Sequence, residues 1–287
     1  MKNTNEVCRE LIDSLPEYLT DKTNHKRKVL AVYLTGSFAR QMATKDSDLD
    51  LALIVKPSKY DYLTAAKLDH QKVFVRNENN EILFNDLANL FNLNTKLHHL
   101  DVRFISVPGF YEQLCKMDLN IFDIFSHGAL WFNAHSKTPW NYQDEFTNLV
   151  AKLQHMPLKY KNILNLPHFL SALLGISNNI QRRLTKNSNN DLKMVDTIKY
   201  FAKFTQGLMK SNYPNVQLPE LTFSIEELNY YHLHHDTSTN SAISEINNCI
   251  AFFKECQQVI NDDKELPIKQ QKAQNVLTGI FLEAMKF

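Results

Sequence analysis

Glycine is scarce in this chain, with six residues in 287. So few points of free backbone rotation fit a helix-rich protein. Cysteine is equally sparse. Cys8, Cys115, Cys249 and Cys256 show no paired metal-ligand spacing, which excludes a cysteine-built metal module and leaves reduced thiols of a cytoplasmic protein. Charge of either sign is not in excess. Lys and Arg total 32 against 31 Asp and Glu, a formal net charge of +1. That balance argues against a dedicated nucleic-acid binder, which carries a basic surplus. No apolar run is long enough to span a bilayer. The first residues, MKNTNEVCRELIDSLPEYL, hold no apolar signal core. Repeats and low-complexity tracts are absent. What is present is a 44% hydrophobic composition, enough for a sizeable core, and a length suited to one large or two ordinary domains.

The informative stretch is residues 29 to 55, VLAVYLTGSFARQMATKDSDLDLALIV. An apolar, β-branched run from Val29 to Leu34 stops at Thr35, Gly36 and Ser37. A polar stretch follows, and Asp48-Leu49-Asp50 leads into a second apolar run, Leu51 to Val55. This reads as strand, tight turn, short helix, strand. Gly36 permits the turn and lets an anion approach the backbone. Ser37 then sits where helix N–H groups are free, which suits a phosphate. Asp48 and Asp50 share one face of a strand. Two adjacent carboxylates repel each other unless a cation lies between them, and a hard ion such as Mg²⁺ suits oxygen ligands.

The rest of the first half alternates. A helix is expected over residues 4 to 20, kinked or ended at Pro16. After Val55 a turn at Pro57-Ser58 leads to a helix over 59 to 70, a short strand near 72 to 76 and a helix over 81 to 93. Residues 98 to 106 alternate, with Leu100, Val102 and Phe104 on one face and Asp101, Arg103 and Ile105 on the other. Pro108 starts a further helix that runs to Gly128, and Ala129 to Phe132 form a last strand. Linker chemistry at 136 to 140 sets a boundary between domains at 1–138 and 139–287.

Beyond that point the pattern is helical. Phe146, Leu149, Val150 and Leu153 form a stripe. Pro157 and Pro167 break the next pieces, and 168 to 184 are apolar at helical spacing. Asp191 can cap a helix over 192 to 210, a loop covers 211 to 223, Ser224 and Glu227 form a capping-box pair, and two long helices follow at 241 to 261 and 267 to 286. Lys199, Lys203 and Lys210 share one side of their helix, which reads either as a solvated face or as a positive wall. His232, His234 and His235 are not on one helical face and read as a surface cluster.

Gly36-Ser37, ten residues, then Asp48-x-Asp50, flanked by strand-like runs, resembles the signature of the polymerase-β-type nucleotidyltransferase superfamily. The nearest pattern is that of the minimal nucleotidyltransferase domain, G-S-x-A-R…S-D-x-D-L, with Gly36, Ser37, Ala39, Arg40, Ser47, Asp48, Asp50 and Leu51 in register. The resemblance implies an α+β fold, a catalytic domain with a mixed sheet and flanking helices followed by an all-α bundle. It implies a third acid on a neighbouring strand, for which Asp101 is the candidate. Asp46, Asp61, Asp69 and Asp86 are less suited. It implies two Mg²⁺ ions on Asp48, Asp50 and Asp101, nucleotide contacts from Gly36, Ser37, Arg40 and Ser47, an NTP co-substrate with ATP first, and transfer of an NMP to a hydroxyl with release of pyrophosphate.

The two-domain plan looks like that of antibiotic nucleotidyltransferases, which implies a small hydroxylated acceptor held with help from Glu226, Glu227, Tyr230 and Tyr231. His98 and His99 are candidates to line the cleft. A protein or tRNA acceptor, as in toxin-like relatives, is the alternative, and a non-catalytic nucleotide sensor is a third class. The Arg-x₄₋₆-His motif of helical ribonuclease partners is absent after residue 140. A homodimer is compatible with the resemblance, and no membrane association is expected.

Overall fold

The computed structural model describes residues 3–40, 42–43, 47–64, 70–74, 78–90, 99–119, 121, 129–132, 142–186, 192–221, 223 and 239–285. The chain divides into two compact units. One comprises Met1–Leu114, Asp118–Gln154 and Ile280–Phe287, the other Cys115–Met117 and His155–Gly279.

In the first unit, α1 (Thr4–Asp13) and α2 (Pro16–Leu19) precede β1 (Lys28–Thr35). Asn3 and Glu6 close a capping box on α1. The single helix expected over 4 to 20 is thus two pieces. Ser14 caps the first, and Pro16, which has no N–H to donate, opens the second. Next come α3 (Gly36–Ala39), β2 (Asp50–Lys56), α4 (Lys59–Thr64), β3 (His70–Phe74), α5 (Glu78–Leu90), β4 (His99–Ser106), α6 (Val107–Lys116), β5 (Ala129–Phe132) and α7 (Tyr142–His155). The helix expected over 59 to 70 gives way to strand by His70. The helix from Pro108 does not run on unbroken. Met117 adopts a left-handed φ of 52° and ends α6, and Gly128 lies outside the described residues.

The five strands form one mixed sheet in the order β3-β4-β2-β1-β5. β1 is antiparallel to β2 and β5, β3 is antiparallel to β4, and β2 is parallel to β4. Leu51 to Val55 of β2 are all buried, as befits a strand with neighbours on both edges and cover on both faces. One face packs Val32, Leu51, Leu53, Val55, Leu100, Val102 and Phe104 against Val7, Leu11 and Leu15 of the first helices and Leu83, Phe84 and Leu87 of α5. Each of these fully buried side chains contributes about 1.5–3 kcal/mol. That leaves Asp50, Ala52 and Ile54, with Asp101, Arg103 and Ile105, on the other face. The alternation expected over 98 to 106 is therefore observed. Phe110 lies 6.0 Å from Phe146 and 6.3 Å from Phe281.

The second unit is helical, with α8 (Leu158–Lys161), α9 (Leu166–Leu184), α10 (Leu192–Asn212), α11 (Thr239–Asp262) and most of α12 (Leu266–Met285). The α+β plan thus holds, sheet first and helices after. Pro167 opens α9 rather than breaking it, in the first turn where a missing N–H costs nothing, and Asn165 caps the end. α10 runs on to Asn212, two residues into the expected loop. Phe169 meets Phe201 and Phe204 edge to face at 6.4 and 6.1 Å.

The lysines of α10 do not form a uniform solvated face. Lys199 is 3% exposed, its ammonium 2.9 Å from Glu245 Oε2 on α11 and 5.0 Å from the centre of the Phe223 ring. Lys203 donates to the Leu221 carbonyl at 3.0 Å, while Lys210 is exposed. Among the described residues no helix is long and apolar enough to cross a membrane.

Candidate active site

The second face of the sheet gathers two carboxylates by register at one end. Asp50 on β2 stands directly beside Asp101 on β4, and directly opposite Thr35 on β1. Direct neighbours in a ladder point to the same face, so the two side chains share one patch of surface. The Asp101 N–H donates to the Leu49 carbonyl at 3.3 Å, which extends the pairing one step toward Asp48. In the segment leading into β2, Ser47 is buried at 3% exposure, Asp48 is exposed, Leu49 is buried and Asp50 is half-buried.

The turn after β1 closes on this pair. Gly36 has φ +69°, and a Cβ built there would fall 2.1 Å from Asp50 Oδ2. Glycine is required twice over, for the left-handed backbone and for the absence of a side chain. The Asp50 carboxylate therefore lies against the α-carbon of the turn. Ser37, half-buried, is the second residue of the single turn of α3, whose first N–H groups have no intrahelical acceptor and receive no side-chain cap from Thr35. The turn is closed by the Arg40 N–H donating to the Gly36 carbonyl at 3.2 Å and the Met42 N–H to the Ser37 carbonyl at 2.8 Å. Arg40 is half-buried at the end of that turn.

Among the described residues, no three His, Cys, Asp or Glu side chains are arranged to enclose a metal ion. The paired carboxylates of Asp50 and Asp101 nevertheless fit Mg²⁺. This ion is usually held by one or two carboxylates, with water and substrate phosphate completing its shell, rather than by an all-protein cage.

Of the residues singled out in the sequence, register and close approach bring together Gly36, Asp50 and Asp101. Ser37 and Arg40 belong to the same turn, and Ser47 and Asp48 to the approach to β2. His99 starts β4. His98, Asp46, Asp69, Glu226, Glu227, Tyr230, Tyr231, His232, His234 and His235 lie outside the described residues.

Asp61 has a structural post. Arg27 Nε donates to its Oδ2 at 2.8 Å and Nη2 to its Oδ1 at 2.6 Å. Its carboxylate also accepts the Ser58 N–H at 2.9 Å, and its own N–H donates to Ser58 Oγ at 3.2 Å, a reciprocal cap on α4. The Arg27 hydrogen bond, which outweighs the opposing effect of burial, holds the Asp61 carboxyl below the usual carboxylate range. The Ser-x-x-Asp spacing was a signal for this cap; nothing local in the sequence marks Arg27 as its partner, 34 residues away.

Residues 17–105 match the family model described as polymerase beta, nucleotidyltransferase. The matched stretch runs from within α2 to the penultimate residue of β4 and contains Gly36, Ser37, Asp48, Asp50 and Asp101. No curated protein matches the chain. Over residues 17–105 the chain is thus similar to the polymerase beta nucleotidyltransferase family, and the Gly36 turn and the Asp50–Asp101 pair lie within that stretch.

Proposed function

We propose that the Asp50–Asp101 end of this sheet transfers an NMP from an NTP to a hydroxyl acceptor. The acceptor oxygen forms a bond to the α-phosphorus, the bond to the bridging oxygen breaks, and pyrophosphate leaves with its electron pair. The observation that carries this reading is the pairing of Asp50 with Asp101 against the Gly36 turn. Divalent ions, Mg²⁺ and two in number, would neutralise the triphosphate and make the acceptor hydroxyl more acidic when bound. Asp48 and Asp50 are the residues to hold the ion that accompanies the triphosphate, and Asp101 to hold the other. Asp101 also stands to accept the acceptor proton. Ser37 and the N–H groups that follow Gly36 bind β- and γ-phosphate oxygens, Arg40 adds positive charge, and Ser47 anchors the segment that presents Asp48. These groups position and neutralise, which is most of what phosphoryl chemistry requires.

One observation bears on the acceptor. The helical unit contains a groove of about 520 Å³ whose lining includes Glu220, Glu245, Glu255, Phe223 and Phe252. Lys199 also lines the groove and pairs with Glu245, so Glu220 and Glu255 beside the aromatic rings are what suit a small cationic molecule of antibiotic type, the first reading.

The test is pyrophosphate release with each of the four NTPs and Mg²⁺, ATP first, against aminoglycosides, lincosamides, cell extract and total tRNA. Release that depends on one acceptor and is lost in Asp50→Asn supports transfer and names the acceptor. NTP binding without release under every condition would point to a nucleotide sensor and remove the catalytic reading.

A further inference from the structure

The row of the sheet next to the acid pair holds a cation. Arg103 follows Asp101 by two residues on β4, so both residues belong to the same face. Its direct ladder neighbours are Ala52 on β2 and His70 on β3. Asp50 and Asp101 thus form one row, and Ala52 and Arg103 the next, about 7 Å further along the strands.

Arg103 is half-buried, yet its guanidinium has no hydrogen-bond, ion-pair or ring partner among the described residues. Arg27 and Lys199, by contrast, are tied to Asp61 and Glu245. A guanidinium carries five N–H donors in a planar fork, has no acceptor and stays charged at any working pH. Ala52 beside it presents only a methyl group. No contact within the described fold accounts for a charged fork at this position. Nor does the fork neutralise the acids, since it forms no ion pair with Asp50 or Asp101. The carboxylates are left to a metal ion and the fork to an anion.

We infer that Arg103 is a catalytic residue whose guanidinium donates to a non-bridging oxygen of the α-phosphate. The inference rests on the nucleotidyl-transfer reading. In that reading the turn at Gly36, on the β1 side of Asp50, receives the β- and γ-phosphates. The α-phosphate then comes to rest over the acid pair, one row from Arg103. As the acceptor oxygen bonds to the α-phosphorus and the bond to the bridging oxygen breaks, charge spreads over the equatorial oxygens. The fork stabilises that charge and gives up no proton. The acceptor proton goes to Asp101, and pyrophosphate leaves with its electron pair. A fixed donor contributes most where charge develops in the transition state.

The experiment uses the full chain with Mg²⁺, an NTP and the acceptor that supports pyrophosphate release. R103A should lower kcat by about 10²–10³-fold, with the KM for the NTP changed by less than about threefold. R103K keeps the charge without the fork and should fall in between. Millimolar guanidinium should restore part of the rate to R103A and none to D50N. Sulfur in place of a non-bridging α-oxygen should slow the wild type more than R103A. The melting temperature of R103A should match or exceed that of the wild type, because no partner is stranded. Wild-type kcat in R103A, a raised KM with kcat unchanged, or a lowered melting temperature without rescue by guanidinium would each overturn the inference and leave the transfer reading standing. No release by the wild type with any acceptor would remove both.

Discussion

Asp50 and Asp101 are direct neighbours on parallel strands, with the α-carbon of Gly36 against the first of them. Two carboxylates so placed repel when no cation joins them. Asp50→Asn and Asp101→Asn should therefore lower NTP turnover by at least about 10²-fold, the order expected when a group that stabilises transition-state charge is lost. The melting temperature should stay level or rise. Pyrophosphate release and calorimetry on the same preparations check both halves, and an unstable but active variant would contradict the arrangement.

Gly36→Ala meets two obstacles, a left-handed backbone and the Asp50 carboxylate at 2.1 Å from the added carbon. The expected cost is about 1–3 kcal/mol of stability, together with weaker NTP binding. Urea titration and nucleotide binding by fluorescence read the two effects separately. Ser37→Ala, which adds no atom, should weaken nucleotide binding and leave stability unchanged.

Arg27 and Asp61 form a buried bidentate pair, their side chains 14% and 2% exposed. Removing one partner strands the other. Asp61→Asn should cost about 3 kcal/mol. Because Arg27 holds the folded-state pKa of Asp61 below its unfolded value, this contribution is present above the unfolded pKa of about 3.9 and is lost as pH falls through the folded value. Asp21 behaves alike. Burial works to raise its pKa, but the hydroxyls of Ser58 and Thr23 and the N–H groups of His25 and Thr23 outweigh that. Stability measured from pH 7 to 3 should fall below about pH 4, and less steeply in Asp61→Asn.

In the helical unit, Lys199 is buried while Glu245 keeps 32% of its side chain exposed. Glu245→Ala leaves a buried ammonium without its carboxylate, and should cost about 2 kcal/mol or more. Lys199→Met removes the buried charge and should cost less, or stabilise. Denaturant midpoints for both variants decide the ordering.

The thiols offer a check on packing. Burial pushes Cys8 up to about 11 and Cys249 and Cys256 up to about 12. At pH 8 these three should resist a thiol reagent in the native protein and react on unfolding. Cys115, half-buried, is the one positioned to react first. Mass spectrometry of the labelled peptides distinguishes them.

The sequence made much of this legible where the signal is local. The apolar runs flanking Gly36 and Asp48 mark β1 and β2, and the alternation around Asp101 marks β4, because strand period and turn chemistry are written residue by residue. The helix boundary at Met117 was not legible. Nothing in composition separates a helix that continues from one that stops when tertiary packing demands it. The lysines of α10 looked like a solvated face because helical spacing cannot show that Glu245, 46 residues on, meets Lys199.

The parallel pairing of β2 with β4 also sets an order of events during synthesis. The turn at Gly36 and the hairpin-like return of β2 are complete once residue 56 has left the ribosome. Asp101 comes 51 residues after Asp50, and β4 must be threaded in beside β2 before β3 can close the edge. A nascent chain arrested before residue 106 therefore holds the Gly36 turn with one wall of the acid pair missing, and on the proposed reading such a fragment should be inert toward any acceptor. The site comes into being in a single late step, and the distant contact that completes it is the slow one.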